Sequence, residues 1–167
     1  LDPLGRRPDP AVRARRRRPR RASRRRACFF TGGVDSFFSA LRHLDALDAL
    51  VFVHGFDVPL VELPDLRSEV TSGVRAAAAE LGRPLVEVET NLHDFSDAMG
   101  SPWGTTFHGA ALAAVAHLLA PSFGEMLAGA THSYANLFPW GSHPLTGPLL
   151  SGDRVRLVHD GCDTDRV

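Results

Sequence analysis

Five short apolar runs punctuate the chain: "ACFF" (27–30), "ALVFVHGF" (49–56), "LVEVET" (85–90), "EMLAGAT" (125–131) and "VRLVHD" (155–160), with stretches of helical periodicity between them. Runs this short, several of them β-branched or aromatic, suit strands buried on both faces, and parallel strands require a crossover between each pair. The pattern predicts an α/β fold: a doubly wound, mostly parallel five-stranded sheet with helices on both faces, Rossmann-like in architecture. Ligands of such sheets bind beyond the carboxyl ends of the strands.

The intervening segments carry their own signals. Val34, Phe37, Phe38, Leu41 and Leu44 recur at helical spacing and predict a first helix with that stripe against the sheet. Leu66, Val70, Val74, Ala77 and Leu81 predict a second, with Asp65 as N-cap, Gly82 at the C′ position and Pro84 just beyond. A third, from Thr106 to Ala120, is apolar on nearly every face, which predicts deep burial, and Pro121 ends it. No internal repeat is visible.

Charge divides the chain sharply. Residues 1–26 hold twelve arginines and two aspartates, net +10, whereas residues 27–167 hold seven arginines and seventeen acids, net −10. The first segment has no apolar periodicity and is expected to be a disordered arginine-rich tail ahead of a domain spanning 27–167. Such a run can neutralise nucleic-acid phosphates, but a solvated tail or a misassigned gene start is the preferred reading. It is not a twin-arginine export signal, because no apolar h-region follows. No apolar run approaches the roughly 18 residues of a membrane span, so a soluble, cytoplasmic protein is expected. Cys28 and Cys162 lack a CxxC partner, which argues against a disulfide framework or zinc knuckle.

All nineteen basic residues are arginine. Without lysine, a Walker phosphate loop, a kinase strand lysine and a pyridoxal phosphate Schiff base are all excluded. Any phosphate chemistry here falls to backbone amides, a metal ion and arginine.

The segment "TGGVDS" (31–36) lies where the first strand gives way to the first helix. Gly32 and Gly33 permit positive φ and close approach of backbone N–H groups to an anion, while the helix beginning near Val34 adds free amides and its positive dipole end. Ser36 can donate to a phosphate oxygen, and Asp35 can hold Mg²⁺ directly or through water. A structural turn followed by an acid at a helix start has the same residues.

Taken with its flanks, "FFTGGVDSFFSAL" resembles the SGGxDS pyrophosphate loop of the PP-loop ATP pyrophosphatase superfamily, with Thr31 in place of serine. The strand ending in "VHGFD" and the helix entered through "WGTTFHGAALA" are most similar to the 7-cyano-7-deazaguanine synthase-like branch. The resemblance covers residues 27–167 and implies an adenine nucleotide alpha-hydrolase-like fold that cleaves ATP to AMP and pyrophosphate with Mg²⁺. It implies that Thr31, Gly32, Gly33, Val34 and Ser36 cradle pyrophosphate, that Asp35 serves the metal, and that Asp35 and Ser36 act in catalysis. A substrate oxygen attacks the α-phosphorus, and an amine, ammonia or sulfur nucleophile then displaces AMP. The cysteine zinc cluster of deazaguanine synthases has no counterpart here.

Other strand ends supply further candidates. His54, Gly55 and Asp57 follow the second strand, where the family lays adenosine; Asp57 can touch ribose or metal, or close a polar turn. "THSYANLFPWGSHP" (131–144) gathers His132, Tyr134, Asn136, Trp140 and His143, either as a substrate wall or as a plug of the core. His132, directly after a strand, leads the substrate candidates, with Tyr134, Asn136 and His143. His108 and His117, nine apart, face opposite sides of a helix and cannot share an ion; His43 is expected on an exposed face, and His93 and His159 lack a spaced partner. Asp163 or Thr164 would cap a helix that Val167 leaves unfinished, and arginine is scarce near the loop, so a C-terminally truncated domain is expected. Three functions stay open: an adenylating ligase, a catalytically incomplete adenine-nucleotide-binding module, and a tRNA-modifying enzyme recruiting RNA through the arginine tail. ATP and a small-molecule substrate are the expected partners, with a homo-oligomer open.

Overall fold

The computed structural model describes residues 23–164. Five strands, β1 (Arg26–Phe29), β2 (Ala49–His54), β3 (Leu85–Glu89), β4 (Glu125–Gly129) and β5 (Arg156–Asp160), form one all-parallel sheet in the order β3-β2-β1-β4-β5. Each lies inside or within a residue of its expected run. Helices α1 (Val34–Arg42), α2 (Pro64–Glu80), α3 (Leu92–Ala98) and α4 (His108–Leu119) occupy the connections, and β4 reaches β5 through short 3₁₀ turns. The chain therefore has the doubly wound, Rossmann-like α/β fold, with the strand order reversing between β1 and β4.

Alternation along each strand divides the core in two. Ala27, Phe29, Val51, Met126 and Ala128 face α4, whose Ala111, Leu112, Val115 and Ala116 are buried among them. Cys28, Phe30, Leu50, Phe52 and Leu127 face the other way, onto Ala40 of α1 and Val74 and Ala78 of α2.

Helix α1 is turned the other way from the expected stripe. Ser36, Ser39 and Ala40 are its buried residues, whereas Val34 is 77% exposed, Leu41 57% and Phe38 37%. Small side chains let α1 come down close on β1 and β4, an approach that Phe38 or Leu41 would block. Phe37 flanks that face and packs edge-on to Phe30 at 4.9 Å. In α2, Val70, Val74, Ala77 and Leu81 pack on the sheet as expected, but Leu66 is 43% exposed. Its N-cap is Leu63 and not Asp65, because Pro64 takes the first helical position that suits its fixed φ. Its end meets expectation: Gly82, at φ 63°, donates to Ala79 O at 3.0 Å and Arg83 N–H to Ala78 O at 3.1 Å, a Schellman closure.

Helix α3 had no sequence signal, and α4 starts two residues late, after a π-helical turn over Trp103–Phe107. Burial of α4 is one-sided, with Leu118 67% exposed. His43 departs from its expected exposure: it caps α1 and holds Asp160 at 2.8 Å. The fold also takes in residues ahead of 27. Arg26 opens β1 and pairs with Glu125, and Arg25 pairs with Asp48. The remainder of the arginine-rich segment, residues 1–22, and the helix start expected at the other end, past 164, lie outside the described residues.

Candidate functional site

The carboxyl end of β1 feeds Thr31, Gly32 and Gly33 into α1 at the point where the strand order reverses. Gly32 has φ 81°, a conformation that side chains strain to adopt. Gly33 does not use positive φ: it is an extended N-cap at φ −79°, ψ 162°, and α1 starts with no side-chain cap hydrogen bond. A serine or aspartate there would bond the amides of the first turn, whereas glycine contributes no side chain to cap them. Gly33 N–H meets Thr31 Oγ1 at 3.3 Å, and the buried Ser36 hydroxyl donates to Gly33 O at 2.8 Å, so both expected hydroxyls shape the loop.

Asp35 Oδ2 accepts from the Thr131 hydroxyl at 3.2 Å. The close approach depends on Gly129 at the end of β4, where a Cβ would lie 2.6 Å from the Asp35 carbonyl oxygen.

A cavity of about 330 Å³ opens at the ends of β1, β2 and β4 and brings together Thr31, Asp35, Ser36 and Asp57. Aromatic residues also line it. Trp103 meets Phe56 edge-on at 5.0 Å, stacks on His93 at 4.2 Å and contacts His108 at 5.5 Å, while Trp140 lines the same space. Three glycines lock this wall together. A side chain at Gly104 would run into the Trp140 ring and one at Gly109 into the Gly141 carbonyl, and Gly141 N–H donates to Gly104 O at 2.7 Å. His108 Nδ1 lies 2.9 Å from Ser142 Oγ. Burial lowers its pKa, opposed by Asp57 and reinforced by His93, which favours the neutral imidazole.

Asp35, Asp57 and the Thr31, Ser36 and Thr131 hydroxyls supply the cavity with oxygen donors, the chemistry that suits Mg²⁺ held by one or two carboxylates together with ligand phosphates. Among the described residues no group of three or more His, Cys, Asp or Glu could hold a metal by itself. No arginine among them lines this cavity; a gap of about 30 Å³ joins Thr31 and Asp57 to His54 and Arg67. Arg67 donates to Leu60 O at 3.0 Å and pairs with Glu89.

Several sequence candidates lie elsewhere. His54 is 9% exposed and turns to the α2 side, with Nε2 2.8 Å from Glu87 Oε2. Arg75, and secondarily His54, hold the Glu87 carboxyl below its ordinary range against the opposing effect of burial. Gly55, at φ 87°, has a packing role, because a side chain would collide with the Thr90 carbonyl. Val34 faces a second cavity. In the loop after β4, His132 packs edge-on to Phe138 at 4.4 Å, Tyr134 is 61% exposed, Asn136 bonds Ser133 at 3.4 Å, and His143 Nδ1 accepts Leu145 N–H at 3.2 Å; none lines the first cavity. That loop contributes Thr131 and Trp140 instead. Of the residues unassigned by the motif, Trp103, His108 and Trp140 had a detectable signal: each directly precedes a glycine.

No protein-family model matches the chain, and no curated protein matches it. Fold and site together define a doubly wound α/β protein with a cavity at its topological switch point. Among the described residues no helix is long and apolar enough to cross a membrane.

Proposed function

We propose that the chain is an ATP pyrophosphatase domain of the PP-loop kind, which adenylates a substrate oxygen and releases pyrophosphate. One observation carries the reading: an uncapped helix start after Gly32 and Gly33 stands beside a cavity lined by Asp35, Asp57 and the aromatic residues Phe56, Trp103 and Trp140.

Helix amides and the macrodipole stabilise the β- and γ-phosphates, the aromatic wall takes the adenine, and Asp35, joined by Asp57, would hold Mg²⁺. Mg²⁺ supplies positive charge against the departing pyrophosphate. An acceptor carboxylate or carbonyl oxygen donates its lone pair to the α-phosphorus. The bond from that phosphorus to the bridging oxygen breaks, and the electron pair leaves with pyrophosphate. An amine, ammonia or sulfur nucleophile then attacks the activated carbon and AMP departs. Positioning and electrostatics supply most of such catalysis, which agrees with a site built from amides, hydroxyls and carboxylates. The neutral His108, held by Ser142, is placed to receive a hydrogen bond or a proton at the cavity wall.

A second reading, a catalytically incomplete adenine-nucleotide-binding module, is favoured by the lack of a lining arginine among the described residues. Isotope exchange between pyrophosphate and ATP in the presence of small carboxylic acids separates the two. Acid-dependent exchange that Asp35→Asn abolishes supports the enzyme; tight MgATP binding with no exchange supports the module. The absence of both rejects the reading as a whole. RNA recruitment, the third possibility, is tested by deleting residues 1–22 and following RNA affinity against salt.

A further inference from the structure

Asp35 and Thr131 border a second cavity of about 310 Å³ on the other side of α1's first turn. Val34, Phe38 and Ala130 give it an apolar wall, and His132, Ser133 and Thr164 add uncharged or weakly basic polar groups. We propose that this second cavity is the acceptor subsite and that it takes a compact molecule with an aromatic or branched aliphatic body and one carbonyl or carboxyl group. The inference rests on the ATP reading above.

Three features carry it. Asp35, joined to Thr131 at 3.2 Å, borders both cavities, so a ligand in the second comes within reach of a reaction centre in the first. Among the described residues Asp35 is also the one formally charged group lining the second cavity, a lining that suits a mostly apolar guest better than a triphosphate. Finally, α1 turns Val34 and Phe38 outward while burying Ser36 and Ser39, and exposed apolar groups over a concave surface mark a binding site. The wall is built, not incidental: Gly161, at φ 95°, brings the chain after β5 against Phe38, where a Cβ would lie 3.3 Å from the ring. His132 is held edge-on by Phe138 and presents its ring at the cavity's border.

The test uses the full chain, with benzamide and benzoate as probes and amide chemical shifts as the readout. Expected are saturable shifts at Val34, Phe38, Ala130 and Ser133 with either probe, while MgATP moves the indole N–H signals of Trp103 and Trp140. Phe38→Ser, at a position more than a third exposed, should weaken benzamide at least tenfold with an unchanged far-ultraviolet circular dichroism spectrum. If MgATP moves the indoles but neither probe moves the second-cavity amides, this inference fails alone. It also fails if MgATP displaces benzamide from those amides, because one ligand then spans both spaces. If the probes bind as expected while MgATP moves nothing, the ATP reading fails and takes the acceptor role with it.

Discussion

Replacing Gly129 by alanine tests whether the junction of β4 and α1 is as tight as the site requires. The new Cβ would stand 2.6 Å from the Asp35 carbonyl oxygen and 3.1 Å from its Cβ, so backbone must retreat by about 0.8 Å to reach ordinary contact. Overpacking of this kind costs about 1–3 kcal/mol, and the loss of unfolded-state entropy from glycine to alanine returns about 0.4–1 kcal/mol. The two ranges leave a net destabilisation of about 0–2.6 kcal/mol centred on about 1.3 kcal/mol, at which Tm falls by roughly 3–5 °C for a chain of this length. Gly73→Ala is the matched control: it lies in α2 with nothing within 4 Å of a built Cβ, and should stabilise by about 1 kcal/mol through helix propensity. Thermal melts of both variants and titration with MgATP form the assay. Opposite signs are expected, with weakened nucleotide binding in Gly129→Ala alone because Asp35 shifts. If Gly129→Ala is as stable as the parent and binds MgATP unchanged, the close junction has no role in placing Asp35.

Further consequences concern buried groups. His159, pressed by burial and by the nearby His108 and His143, has its pKa pushed down to about 4. A depressed folded-state value means stability is full above the free imidazole value near 6.5 and is lost as pH falls from there to about 4, by on the order of 3 kcal/mol. Urea titrations at pH 7 and 4.5 should show that loss, and His159→Phe should shrink it; an unchanged difference in the variant would exclude His159 as the source. The Ser39 hydroxyl is fully buried without a hydrogen-bond partner among the described residues, so Ser39→Ala should stabilise by about 1 kcal/mol, and destabilisation would reveal a partner. Burial pushes the Cys28 thiol up to about 12, with Asp160 adding to it, and Cys162 is 3% exposed. Both should resist Ellman's reagent at pH 8 until denaturant is added; rapid reaction of Cys28 in the native protein would contradict its placement.

The sheet could be read from the chain because strands buried on both faces write themselves as compact apolar runs, and Gly82 with Pro84 announced the end of α2. The direction of α1 could not. Periodicity identifies an apolar side but not whether close packing makes small residues the inward ones, and here Ser36, Ser39 and Ala40 won over Val34, Phe38 and Leu41. Polar "LHDFSDA" hid α3. In the site, the loop of residues 31–36 was legible because its chemistry is local. Of the aromatic wall only Trp140 was legible, within the loop 131–144; its assembly with Trp103 was not, since Gly104, Gly109 and Gly141 bring distant segments together. His54 shows the converse: adjacent to the right strand end, it turned toward Glu87 because the pleat points it to the other face.

Both tryptophans of the chain line the first cavity, so intrinsic emission reports on that space, and Trp103 is the more selective of the two because Trp140 also packs on Phe138. Titrating the protein with MgATP while recording tryptophan emission should give a saturable change with the same midpoint as calorimetric binding, weakened by Asp35→Asn. Calorimetric binding that leaves the emission untouched, or no binding at all, would contradict a nucleotide site between the glycine loop and the aromatic wall.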